Sequence, residues 1–122
     1  MPTQETLDKF IARVVEGAHA EAIEEFYTPE ASMQENLSAP TQGIDLLVAK
    51  ERATMARAKS VKSTCIAPIF VKDDHVVIRW VFEFEWKDGK HTRVEELAYQ
   101  RWEEEQIAQE TFFYDPVQFV AK

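Results

Sequence analysis

The sequence predicts an α+β domain, a cone-shaped fold in which three N-terminal helices pack on a strongly curved, mainly antiparallel sheet that encloses a pocket. The first observation is the run from Val76 to Trp86. Its even positions, Val76, Ile78, Trp80, Phe82, Phe84 and Trp86, are all apolar, while odd positions carry Arg79, Glu83 and Glu85. Strict alternation marks a strand with one buried face. At about 3.3 Å per residue the run spans roughly 36 Å, and a strand that long in a small domain twists and curls. Its concave side would be lined with rings. The second observation is that helical periodicity is concentrated before residue 60, and the third is that turn signals at hairpin spacing follow it.

The elements follow in order. Thr3 is an N-cap for a first helix whose face carries Leu7, Phe10, Ile11, Val14 and Val15, ended by Gly17. A second helix runs from about His19 to Tyr27 and is stopped by Thr28-Pro29. Ala31 to Leu37 reads as a short strand and Ser38 to Gly43 as a loop. A third helix runs from Ile44 to about Lys59, with Ile44, Leu47, Val48, Glu51 and Met55 along one side. Its basic side, Lys50, Arg52, Arg57 and Lys59, is a solvated face. Val61 to Val71 is a strand broken at Pro68, hence an edge or bulged strand. Asp73-Asp74 turns the chain into the long central strand. Lys87-Asp88-Gly89 is a hairpin turn leading to a strand from Arg93 to Trp102. Glu103-Glu104-Glu105 turns into the last strand, Ile107 to Tyr114, and Asp115-Pro116 ends it.

Composition limits function. The 122 residues suffice for one domain, 1–122, with a core that needs no disulfide. Hydrophobic content of 45% and charged content of 30% are those of a globular chain. A net charge of −8 argues against nucleic acid or an anionic membrane surface as partner. The one cysteine, Cys65, excludes an internal disulfide and suits a reducing compartment. Met1 to Glu5 lacks a basic leader region, no long apolar run follows, and no segment approaches bilayer length, so a cytoplasmic location is expected. His19, His75 and His91 lie too far apart for a local metal motif, and there is no glycine-rich phosphate loop or Gly-x-Ser-x-Gly. No cofactor is expected.

Hairpin register decides which side chains enter the concavity. A three-residue turn at Lys87-Asp88-Gly89 sets Phe84 opposite Thr92, Phe82 opposite Val94 and Trp80 opposite Glu96, turning Glu96, Ala98, Gln100 and Trp102 inward. A two-residue turn at Asp88-Gly89 would bring in Glu95, Leu97 and Tyr99 instead. With the first register, a three-residue turn at Glu103-Glu104-Glu105 places Glu110, Phe112 and Tyr114 inward.

Two segments resemble a known family: Phe26-Tyr27 through Ala31-Ser32-Met33-Gln34-Glu35 to Gly43, and Glu95 to Trp102 with Ile107 and Glu110 through Phe112-Phe113-Tyr114-Asp115. With them the whole chain resembles the nuclear-transport-factor-like superfamily, which includes SnoaL-like polyketide cyclases and ketosteroid isomerase. The resemblance implies the cone of three helices on a curved sheet with a ligand pocket between. It also implies that Glu35 stands where the isomerase branch places its carboxylate base. The positions of that branch's oxyanion donors hold Ile11 and Ala98, which cannot serve. The same alignment supports the register with Glu96, Ala98 and Gln100 inward. The histidines required by the dehydratase branch are not evident, since His75 sits in a turn and His19 starts a helix.

The chemistry expected is carboxylate chemistry. Glu35, Glu96 and Glu110 would surround one ring-lined pocket, and burial raises a carboxyl pKa toward the range useful for proton transfer. The alternative for Glu96 and Glu110 is that they face water or join a hydrogen-bonded network with Gln100 and Tyr114. For Glu35, Met33 and Leu37 on the same strand face would seat the carboxylate among apolar groups. Gln100 and Tyr114 are candidate donors to charge developing on a substrate oxygen. Trp80, Phe82, Phe84, Glu96, Ala98, Trp102 and Phe112 would wall the pocket. The expected function is an apolar pocket for a small cyclic molecule, uncharged or cationic, in a cofactor-free isomerase, cyclase or lyase with a carboxylate base. The alternative is a non-catalytic binding or dimerisation module. The outer sheet face, with Val77, Val81, Leu97, Tyr99 and Phe113, would form a homodimer. Arg79, Glu83, Arg93, Glu95 and Arg101 could pair across it.

Overall fold

A computed structural model describes residues 1–120. Helices α1 (Gln4–Val15), α2 (His19–Phe26) and α3 (Ile44–Arg57) cover a six-stranded sheet of order β2-β1-β6-β5-β4-β3. The strands are β1 (Tyr27–Glu35), β2 (Thr41–Gln42), β3 (Ala58–Lys72), β4 (His75–Trp86), β5 (His91–Glu103) and β6 (Gln106–Phe113), with a final 3₁₀ turn at Pro116–Phe119. All pairings are antiparallel except β1 with β6, which is parallel.

Local chemistry explains the helix starts and stops. Thr3 caps α1, its hydroxyl accepting from the Thr6 N–H at 3.1 Å. Its own N–H donates to the Glu105 carboxylate at 2.8 Å, tying the start of α1 to the β5–β6 turn. Gly17 takes φ of 91°, a left-handed conformation that lets the chain leave α1 and begin α2 at His19. Leu7, Phe10 and Val14 of α1 are buried, as the helical periodicity predicts.

The sheet departs from the sequence reading at its ends. Tyr27 belongs to β1, not to α2, because its backbone is extended and its ring is buried in the core. β1 stops at Glu35, and Asn36 turns the chain with φ of 51°, leaving Leu37 exposed outside the strand. The loop after it holds the short β2, whose Thr41 and Gln42 pair with Met33 and Ser32. α3 ends at Arg57, so Lys59 lies in β3. β3 is an edge strand whose register shifts between Ile66 and Phe70, around Pro68, where no N–H is available for the ladder. His75 is the first residue of β4 rather than part of a turn.

The central register is the three-residue-turn one: Phe84 faces Thr92, Phe82 faces Val94, Trp80 faces Glu96 and Ile78 faces Ala98. Gly89, at φ of 89°, closes that turn by donating its N–H to the Trp86 carbonyl at 2.9 Å. The next turn differs. Glu103 pairs with Gln106, so only Glu104 and Glu105 form the loop. A bulge then follows: Trp102 pairs with Ile107 but Arg101 pairs with Gln109, and Ala108 is the extra residue. The bulge restores the facing but not the register: Gln100 faces Glu110 and Ala98 faces Phe112, two positions beyond the pairing a Glu103-Glu104-Glu105 turn would set, with Glu110 and Phe112 inward as expected.

On the outer face Leu97, Tyr99 and Phe113 are 45%, 47% and 45% exposed. Val77 is half-buried and Val81 buried. Several charges expected there already have partners within the chain: Arg79 pairs with Glu95, and Arg101 with Glu103 at 3.3 Å. No helix among the described residues is long and apolar enough to cross a membrane.

Candidate functional site

Between the helices and the concave face lies a cavity of about 190 Å³. The sheet lines it with Trp80, Phe82 and Phe84 of β4, Val94 and Glu96 of β5, Glu110 and Phe112 of β6, and Tyr27, Met33 and Glu35 of β1. The helices add Phe10, Val14, His19, Ala22, Ile23 and Glu51. Phe119, from the C-terminal turn, completes the wall. Alternation along β4 puts its rings side by side. Trp80 and Phe82 stack at 5.5 Å with planes 18° apart, and Phe82 meets Phe84 at 6.5 Å.

A buried hydrogen-bonded chain forms one wall. The Trp102 indole N–H donates to Gln100 Oε1 at 3.0 Å, and the Gln100 amide donates to Glu110 Oε2 at 2.6 Å. The Tyr27 hydroxyl donates to Glu110 Oε1. Both oxygens of Glu110 are thereby satisfied. Burial pushes the Glu110 carboxyl up to about 7, against the pull of its two donors. Glu96 has no such partners among the described residues. It is 9% exposed, and burial, followed by the nearby charges of Glu110, Glu35 and Glu51, raises its pKa to about 8.

His19 is the residue that sequence reasoning passed over. It is 8% exposed on the cavity wall, with Nε2 2.8 Å from Ser63 Oγ and Nδ1 3.4 Å from Glu51 Oε1. Its ring meets Phe82 edge-on at 5.1 Å. A histidine opening a helix reads locally as a terminus residue; only the packing of α2 over β4 brings it inside. Glu51 did carry a signal, because it is the one carboxylate within the apolar stripe of α3. Tyr27 was hidden by its assignment to a helix.

The remaining expected site residues divide. Glu35 lines the cavity but is exposed at the end of β1, not seated among apolar groups, since Leu37 has left the strand. It accepts from the Tyr114 hydroxyl at 3.0 Å. Tyr114 lies past the end of β6 and does not line the cavity. Burial, then the bond to Glu35, raises its phenol to about 12. Gln100, Ala98 and Trp102 face inward but lie behind the wall, at 0%, 0% and 1% exposure, with the indole of Trp102 packed edge-on against Phe10 at 5.9 Å. The Gln100 amide is committed to Glu110, so it does not present itself to the cavity. No group of three or more metal-binding side chains occurs among the described residues.

A cone of three helices on a curved mixed sheet, with a ring-walled cavity inside, is the nuclear-transport-factor-like fold. Within that class the model of the SnoaL-like domain matches residues 7–110, and the chain belongs to that family. Solved structures agree in fold. A protein from Mesorhizobium loti, described as a SnoaL-like polyketide cyclase, superposes with a TM-score of 0.75 at 18% identity, over 90% of this chain and 97% of that one. A protein of ketosteroid-isomerase-like fold from Catenulispora acidiphila, in complex with trimethylamine, gives 0.75 at 21% identity, over 93% and 87%. A nuclear-transport-factor-like protein of unknown function from Burkholderia pseudomallei gives 0.79 at 10% identity, over 95% and 92%. No curated protein matches the chain in sequence.

Proposed function

We propose that the chain binds a small, largely apolar cyclic molecule in the ring-walled cavity and moves a proton on it with a carboxylate base, as a cofactor-free isomerase, cyclase or lyase. One observation carries this reading: Glu35 and Glu96 line the same cavity in opposite settings, one exposed at its mouth and one buried in its wall. Carboxyl groups held in different environments can divide binding and proton transfer between them. In this reading Glu35, steadied by the Tyr114 hydroxyl, is the base that meets a substrate C–H at the mouth. The rings of Trp80, Phe82 and Phe84 hold the substrate's apolar body. Members of one fold carry different chemistries, so the assignment rests on these residues and not on the fold.

Deuterium exchange tests it without a known substrate. Simple cyclic ketones in heavy water should lose α-hydrogens faster with the protein than with its Glu35→Gln variant, by about a hundredfold or more, the usual scale of general-base catalysis. Equal rates would remove the base and leave a non-catalytic binding module. That second reading has its own support in the fully buried Gln100, whose amide is spent on Glu110 and is no donor to a substrate oxygen.

A further inference from the structure

The carboxylates of the cavity are not equivalent, and the difference indicates what enters it. Glu110 has both oxygens occupied by Tyr27 and Gln100. Glu51 faces His19 Nδ1 at 3.4 Å, and Glu35 accepts from Tyr114. Glu96 alone is both nine-tenths buried and without a hydrogen-bond partner among the described residues. Among the described residues the cavity lining contains no lysine or arginine, and its one basic side chain, His19, is already held by Ser63 and Glu51. A buried carboxylate without a cation is costly, and a ligand bearing one would relieve that cost.

The rings beside Glu96 suit the same ligand. Trp80 lies directly across from Glu96 in the β4–β5 ladder, on the same face of the sheet, and stacks with Phe82. Aromatic faces attract a desolvated cation. The volume, about 190 Å³, is modestly above the roughly 150 Å³ of a cavity known to take benzene, so it has room for one ring and a short arm.

We propose that the ligand is a protonated amine on a single-ring apolar body, its ammonium paired with Glu96 and its ring against Trp80 and Phe82. This deepens the reading above and rests on it only in taking the cavity as the ligand site. The pairing has a proton linkage. The titratable groups facing Glu96 are Glu110 from β6, Glu35 and Tyr27 from β1, Glu51 from α3, His19 from α2 and Tyr114 from beyond β6. With the Glu96 carboxyl raised to about 8, amine binding near neutrality must expel its proton. Affinity for the amine should therefore rise as pH rises, by at most about tenfold per unit, and level off near pH 8.

Three probes of nearly one shape decide the matter: benzylamine, benzyl alcohol and benzoate, titrated by calorimetry at about pH 6 and pH 8 in buffers of differing ionisation enthalpy. The expected result is benzylamine tightest, tighter at the higher pH, with release approaching one proton per ligand at the lower. Glu96→Gln should abolish both the amine preference and the proton release while retaining benzyl alcohol. Should that variant not fold, the proton count on the unaltered protein decides alone. Benzyl alcohol binding as tightly as the amine, or benzoate more tightly, overturns the cationic assignment and leaves the cavity as a ligand site. No binding by any probe at millimolar concentration overturns both.

Discussion

Tyr27, the first residue of β1, donates its hydroxyl proton to Glu110 on β6, so a hydrogen bond inside the cavity wall joins the two neighbouring strands that pair in parallel. Both residues are buried, at 3% exposure. Replacing Tyr27 with Phe leaves one oxygen of a buried carboxyl unpartnered. It should destabilise the fold by about 2 kcal/mol, the scale of hydrogen bonds to charged groups. Since this bond pulls the Glu110 pKa down, its loss should move the titration upward from about 7. Carbon-detected NMR of the Glu110 carboxyl would show the direction; a downward move would mean that Tyr27 does not favour the anion.

Stability should fall, not rise, from weakly acidic to weakly basic pH. Glu96 and Glu110 hold pKa values of about 8 and about 7 in the fold, against about 4.3 in an unfolded chain. Between those limits the folded state binds more protons, so its advantage is full below about pH 4.3 and is lost as pH climbs through 7 and 8. Within that window the loss should amount to a few kcal/mol. Melting curves taken from about pH 5 to pH 8.5 should show a declining midpoint, with Glu96→Gln flattening the upper part. A midpoint that climbs across this range would contradict the burial of both carboxyls.

The C-terminal turn is clasped to the sheet by one side chain. Gln118 accepts from the Glu95 N–H and donates to the Glu95 carbonyl, both at 3.0 Å, as a neighbouring strand would. The next residue, Phe119, lines the cavity and packs on Tyr114 at 4.9 Å. Gln118→Ala should cost about 1–2 kcal/mol locally and loosen this part of the wall. Faster hydrogen exchange at the Glu95 amide, with weaker binding of a cavity probe, is the expected pair of results. Unchanged exchange would mean that the clasp does not hold the segment.

The apolar outer face predicts self-association. Leu97, Tyr99 and Phe113 are each close to half exposed. Leu97 and Phe113 are paired neighbours, and Tyr99 lies two residues along β5, which makes one contiguous patch. Light scattering at tens of micromolar (an order-of-magnitude choice for a stable dimer) should show twice the chain mass. Leu97→Glu should return it to a monomer, and a monomeric unaltered chain at that concentration would end the idea.

The central hairpin was legible because its code is local. Alternation along β4 fixes one face, and the Lys87-Asp88-Gly89 turn then aligns β5 against it, as the pairing of Trp80 with Glu96 shows. The parallel pairing of β1 with β6 is not local. It joins residues about eighty positions apart, and nothing in the segment around Tyr27 announces it. That is why Tyr27 read as the end of a helix. His19 does open α2, as its sequence says, but only the packing of that helix over β4 brings its ring against Phe82. Glu35 read as buried because Leu37 was counted in its strand; the left-handed turn at Asn36 removes Leu37 and leaves the carboxylate at the rim. Glu51 was visible as a charge in an apolar stripe, yet what it faces depends on how α2 and α3 pack together.

The extra residue in β6 turns the identity of the cavity wall into a matter of parity. Glu110 and Phe112 point inward because a two-residue turn and a one-residue bulge together give the same facing as a three-residue turn would. If Ala108 took a regular rung opposite Arg101, Gln109 would fall opposite Gln100 and Glu110 opposite Tyr99, on the outer face, with Thr111 turned inward. Deleting Ala108 should do no such thing, because it removes the extra residue and leaves Gln109 opposite Arg101 and Glu110 opposite Gln100. The bulge is thus one residue of slack in the last strand, which can be lost while the acid in the cavity stays in place.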